Sequence, residues 1–241
     1  LQRQQLPRQR AGMVSAAAGS ESSSAAYSSA YVTGLAAARL GVARRIGVLD
    51  LSLVVEKGFE PDIPADLVST IKDLNLKGNG LYRFPRAVSL MFRLTRLNVA
   101  ENCLENGAFL KDRTQFGPGS PSGNVPTRPI FDAMKQLLVL DLSGNNLGPE
   151  LPLALMKLAP RLQVLMLDGN KLERINPLFA ASKSSRWRET LKSISLRGNP
   201  LPGTVLEAVR QRGVPGLFAA LLAQKDEEEI EAKRMHKMNM E

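Results

Sequence analysis

The chain predicts an α/β solenoid in which parallel strands stack into one curved sheet, short helices or turns lie on the opposite side of each coil, and a helical cap closes the C-terminal end. Three observations predict it. The spacing L-x-x-L-x-L-x-x-N-x-L returns five times, its copies start about one coil apart, and the last copy runs into a short apolar helical pattern. Self-similarity at a fixed period marks a stack in which each unit contacts only its neighbours.

The five copies are Ile71-Leu74-Leu76-Asn79-Leu81, Leu94-Leu97-Val99-Asn102-Leu104, Leu137-Leu140-Leu142-Asn145-Leu147, Leu162-Leu165-Leu167-Asn170-Leu172 and Leu191-Ile194-Leu196-Asn199-Leu201. The apolar residues at the fourth and sixth places alternate with polar ones, so a short strand turns them to one face. One such strand cannot bury that face alone, and stacking successive strands does. The Asn has a separate task. Its amide carries donors and an acceptor that satisfy backbone groups where the chain bends out of the strand.

The copies start 23, 43, 25 and 29 residues apart. The 43-residue interval equals one unit plus about 20 residues, which Lys111 to Pro129 (KDRTQFGPGSPSGNVPTRP) supplies. Its glycines and prolines and its near-absence of apolar side chains read as a loop inserted after the third or fourth strand. Counting back 25 residues from Ile71 reaches Ile46-Gly-Val-Leu49-Asp-Leu51, a degenerate first unit with Val54 in the place of Asn. A terminal unit is expected to be atypical because one face meets no neighbour.

After the strand half, an apolar-Pro pair recurs in Ile63-Pro64-Ala-Asp-Leu67, Phe84-Pro85-Arg-Ala-Val88 and Leu151-Pro152-Leu-Ala-Leu155. The last unit, Gly198-Asn199-Pro200-Leu201-Pro202, continues into apolar residues from Thr204 to Val209 and from Arg212 to Leu222. With these features the chain resembles the leucine-rich repeat family, in its intracellular branch, with about six repeats. The resemblance covers Ile46 to about Gln224. It implies a curved solenoid with its strands on the concave face, a short helix or turn after each apolar-Pro pair, and a C-terminal cap, and it says little about function.

The organisation that follows has four parts: a low-complexity Arg/Ser/Ala-rich segment at 1–45 with a possible helical cap, repeats at 46–203 with an inserted loop at 111–129, a cap at 204–224, and a charged helical tail at 225–241. At 241 residues and 44% hydrophobic content, one elongated domain can bury a sizeable core. The cap pattern at the start spans Tyr31 to Val42, with Leu35, Arg39, Leu40 and Val42 at helical spacing. In the tail, Glu227, Glu228 and Glu229 precede Lys233 and Arg234, so i,i+4 pairs support an exposed helix, and Met235, Met238 and Met240 could dock it into a partner.

The lone Cys103 is expected to be a buried, inert thiol, and it cannot form an internal disulfide. The paired-cysteine caps of extracellular relatives are missing, so the expected setting is intracellular and cytoplasmic. No stretch reaches the roughly 18 apolar residues of a membrane-spanning helix, and Ala30 to Ala43 is short and broken by Arg39. From Leu1 to Leu49 six Arg face only Glu21, among many Ser and Ala. Two readings stand for that composition: an organelle transit peptide, which makes the mitochondrial matrix the alternative location, or a low-complexity tail ahead of the solenoid.

Nothing in the chain assembles a reaction centre, so no enzyme, cofactor, metal or small-molecule substrate is expected. The one His236 falls in the tail, whereas Ser-His, Cys-His and His-ligated metal sites need an imidazole held by its surroundings. Gly117 to Gly123 is glycine-rich, but no Gly-Lys-Ser/Thr follows and its prolines lack the donors a phosphate needs. Asp50, Asp73, Asp141 and Asp168 are expected to be solvated strand-side carboxylates.

The outward places of the strands remain. Leu138, Val139, Val164 and Met166 occupy them in neighbouring units, which predicts a contiguous apolar patch on the concave face beside Asp141. Such a patch with a polar rim marks contact with another protein, and the competing reading has the inserted loop or a terminal segment folded over it. Lys72, Lys77 and Arg96 on one side and Lys192 and Arg197 on the other form a basic rim that would favour an acidic partner.

Two classes of function follow. The first is a non-catalytic protein-interaction scaffold, a subunit of a larger intracellular assembly, using that face. The second starts from the net charge of +9 and pI near 9.9: an accessory protein of a ribonucleoprotein such as an organellar ribosome, contacting RNA phosphates through basic residues. The 5% aromatic content leaves little for base stacking, and the segment before Leu49 carries +5 of the charge.

Overall fold

The structure, a computed structural model, describes residues 37–53, 63–109, 134–155, 160–181 and 186–238. Six three-residue strands, β1 (Val48–Asp50), β2 (Asp73–Asn75), β3 (Arg96–Asn98), β4 (Val139–Asp141), β5 (Val164–Met166) and β6 (Ser193–Ser195), form one open sheet in sequence order. Every neighbouring pair is parallel. Adjacent rungs that advance always in one direction make a solenoid, because each coil returns to its starting side before the next strand begins.

Register puts Leu49, Leu74, Leu97, Leu140, Leu165 and Ile194 side by side along the stack. The sixth-place residues Leu51, Leu76, Val99, Leu142, Leu167 and Leu196 are buried beside them. A strand of three residues has little stability of its own, so this continuous apolar spine holds the sheet. Wider parts of the core take aromatic rings. Phe84 meets Phe109 edge-on at 5.2 Å between centroids, and Phe179 lies 5.4 Å from Trp187.

The apolar-Pro pairs start the return segments. Pro64 precedes α2 (Ala65–Val68) and Pro85 precedes the 3₁₀ helix Arg86–Leu90. Proline's fixed φ suits a first helical turn, and its missing N–H is one that a helix start would leave unused. Two more short helices, α3 (Leu178–Ala181) and α4 (Trp187–Thr190), place Phe179 and Trp187 in the core. The insertion at 111–129 falls between β3 and β4 and lies outside the described residues.

Each asparagine satisfies more than its own turn. The Asn145 Nδ2 donates to the carbonyl of Leu142 in its own rung at 2.9 Å and to that of Val99 in the previous rung at 3.0 Å, while its Oδ1 accepts the Leu104 N–H at 2.9 Å. Asn79, Asn102, Asn170 and Asn199 repeat the double donation. Asn79 thereby serves Leu51 in the first unit, which has Val54 in the place of an Asn of its own.

A helix at residues 37–46, α1, covers the start of the stack, with Ala43 buried and Leu40 packed against the core. This helix overlaps the cap pattern expected at Tyr31 to Val42, of which residues 31–36 lie outside the described residues. Ile46 is exposed because it is still the last residue of α1, and Val42, in the expected cap pattern, is exposed as well. Arg39 is held by the strand's far end, donating to the Asp50 and Ser52 carbonyls at 3.1 Å each.

At the other end, α5 (Gly203–Met238) breaks at Gly213, whose φ of 61° and ψ of −138° are non-helical. Val205, Val214, Leu217, Phe218 and Leu221 cap the core, and every described residue from Asp226 onward is exposed. Cap and tail thus share one helix rather than forming separate segments. Lys225 and Glu229 pair at 2.5 Å, one turn apart.

Candidate protein-interaction face

Two rows of side chains project from the sheet away from the leucine spine. The third-place row runs Val48, Asp73, Arg96, Val139, Val164, Ser193, and the fifth-place row runs Asp50, Asn75, Asn98, Asp141, Met166, Ser195. Parallel register therefore brings Val139, Val164 and Met166 together. All three are half-exposed, and none belongs to the buried cluster or to the partly buried residues packed against it. Leu138, whose N–H donates to the Thr95 carbonyl at 2.8 Å, stands half-buried at the start of β4.

The fifth-place row has a structural task that the pattern of apolar residues did not show. The Oδ1 of Asp50, Asn75, Asn98 and Asp141 accepts the N–H two residues on, from Ser52, Lys77, Ala100 and Ser143, at 2.9 to 3.1 Å. These Asx turns end the first four strands. Asp141 is thus engaged in its own turn rather than simply solvated. Burial pushes the Asp50 carboxyl up, but bonds from Ser52 and the Arg39 charge outweigh it, and its pKa is lowered.

Met166 interrupts the row. A thioether cannot close an Asx turn, and Asp168 in the same rung serves the following one, accepting from the Ser195 hydroxyl at 2.5 Å and from the Arg197 N–H at 2.7 Å. A repeat that abandons its local rule for a half-exposed apolar side chain fits a place kept for contact rather than for folding.

The rim is mixed in charge. Arg96, beside Val139, lies 4.0 Å from Asp73, and Lys77 pairs with Glu101 at 2.9 Å, a bond that raises the Lys77 pKa. Lys72, Lys192 and Arg197 are exposed, with no ion pair among the described residues. Cys103, expected to be buried, is half-buried. Among the described residues no group of three or more His, Cys, Asp and Glu could hold a metal ion, and no helix is long and apolar enough to cross a membrane. A groove of about 600 Å³ between α5 and the turn at 174–178 is lined largely by charge, with Glu150 paired to Arg174.

Stacked parallel strands, an inward leucine spine and an asparagine in every complete unit are the architecture of a leucine-rich repeat solenoid. The Leucine Rich Repeat family model matches residues 136–158, the unit that carries β4. No curated protein matches the chain. Repeats of this family commonly serve protein–protein interaction.

Proposed function

We propose that this chain is a non-catalytic protein-interaction module whose anchor is the apolar patch formed by Val139, Val164 and Met166, with Leu138 at its margin. The carrying observation is Met166, a half-exposed apolar side chain in a row where the four preceding strands use Asp or Asn to close a turn. Apolar anchors ringed by polar side chains carry most of the energy in protein contacts, and the rigid sheet holds these three without loss of backbone freedom. With Arg96 facing Asp73 and Lys77 facing Glu101, the rim suits a partner of mixed charge better than a strongly acidic one. The proposed setting is a larger intracellular assembly in the cytoplasm, with the mitochondrial matrix as the alternative.

The test is capture of partners by the whole chain and by a Val139→Glu/Val164→Glu variant, with Lys171→Glu, exposed on a turn leaving a strand, as control. The double Glu variant should lose the captured proteins while keeping its thermal transition. Equal capture by all three removes the patch from the account.

A further inference from the structure

We propose a second surface: the edge of the solenoid where the strands begin docks on an anionic lipid bilayer. Backbone bonds run along this edge through all six rungs, from Lys72 N–H to Gly47, Thr95 to Lys72, Leu138 to Thr95, Gln163 to Leu138 and Lys192 to Gln163, each at 2.8 Å. Residues at or just before these positions therefore form a straight file. Arg161 donating to the Gln136 Oε1 at 2.6 Å shows that side chains of adjacent rungs meet there.

Every rung adds a cation to this file: Arg45, Lys72, Arg93, Lys135, Arg161 and Lys192. All six are exposed, and none pairs with a carboxylate among the described residues. At about 4.8 Å between strands the file extends about 24 Å. Over the segments 43–48, 68–73, 91–96, 134–139, 160–164 and 188–193, nine Lys and Arg stand against Asp73 and Glu189, with Arg44 paired at 2.7 Å to Asp66 just outside them. The turns leaving the strands, at 52–53, 77–82, 100–105, 143–148, 168–173 and 197–202, carry three bases against four acids. Among the described residues, the positive excess of these segments lies on the edge where the strands begin.

Apolar side chains protrude among these cations. Ile46 is 61% exposed, Phe92 54%, Leu90 49% and Val42 46%, and the Arg93 guanidinium sits 6.0 Å from the Phe92 ring centre. A bilayer uses both kinds of group at once, with phosphates and serine carboxylates meeting Lys and Arg while aliphatic and aromatic side chains enter the acyl boundary. RNA would use the cations but leave Ile46, Leu90 and Val42 without a partner, since only Phe92 offers a stacking face.

The experiment is co-sedimentation of the full chain with phosphatidylcholine vesicles, with and without about 30% phosphatidylserine. Binding is expected only with phosphatidylserine, weakened by salt, and about tenfold or more weaker for Arg93→Glu/Arg161→Glu. Ile46→Ser/Phe92→Ser should also weaken it, and Lys171→Glu on the opposite edge should not. Each variant keeps the Arg-rich residues before Leu49, so a loss belongs to the edge. Failure of the wild-type chain to bind the anionic vesicles at low salt overturns the proposal. So does unaltered vesicle binding by the Arg93→Glu/Arg161→Glu variant, or tighter binding to a homopolymeric RNA that is indifferent to Ile46→Ser/Phe92→Ser. Partner capture by Val139→Glu/Val164→Glu reports on the strand face alone.

Discussion

Met166 stands directly across from Asp141 on the neighbouring strand, and only one of the two closes the turn that follows it. The difference separates folding from contact. Met166→Asn should supply the missing Asx acceptor and leave stability unchanged or raise it by about 0.5–1 kcal/mol, while weakening partner capture. Urea unfolding beside the capture assay reads both quantities. A loss of stability with capture intact would make Met166 a packing residue.

Removing one asparagine should cost far more than an ordinary surface change. Asn145→Ala strands the Leu104 N–H and the Val99 and Leu142 carbonyls, so a loss of about 3 kcal/mol or more is expected in denaturant unfolding. Because one of those bonds reaches the previous rung, hydrogen exchange should rise in β3 as well as β4. Exchange confined to β4 would show that the bond between rungs carries little.

Glu101 and Gly144 share the eighth place of consecutive rungs, both at positive φ, 55° and 65°. A Cβ at Gly144 would stand 3.3 Å from the Glu101 Cγ. Gly144→Ala should therefore destabilise by about 1–2 kcal/mol, through backbone strain and this close approach. Glu101→Gly relieves a left-handed non-glycine residue and loses only the exposed Lys77 pair, so it should be neutral or stabilising by up to about 1 kcal/mol. In the Glu101→Gly background Gly144→Ala should cost less, which a double-mutant cycle measures.

In α5 the Arg210 guanidinium, with help from Gln211, holds the Glu207 carboxyl down to about 2. A depressed carboxyl contributes stability above its unfolded pKa and loses it as pH falls through the folded value. The contact should persist at pH 4 and fade towards pH 2, as an NMR titration of the Glu207 side chain would show. A midpoint at the ordinary carboxylate value would mean that the pair does not persist in solution.

The inward residues were legible in the sequence because a period of two within each strand and about 24 between strands admits one stacking. The same register placed Val139, Val164 and Met166 together. What stayed hidden depends on partners outside the phrase. Asn145 reaches Val99 some 46 residues back, and Arg39 is held by carbonyls of the first strand, contacts that no local spacing reveals. Ile46 fits the repeat pattern, yet belongs to the preceding helix. The Asx role of Asp50 and Asp141 was readable in principle from Asp/Asn at a strand end, but it was masked by their expected solvation. Four of the six cations of the basic file, Arg45, Arg93, Lys135 and Arg161, stand one or two residues before the repeated phrase, so the file emerges only when the rungs are laid over one another.

The claim that the strand face is the docking surface is tested most directly by a photo-crosslinking residue placed at Val164 in the intact chain, with Glu173, exposed on a turn leaving a strand, as control. Irradiation in cells should join discrete protein partners to position 164 and not to position 173. Adducts that are the same at both positions, or none at 164, would contradict the account.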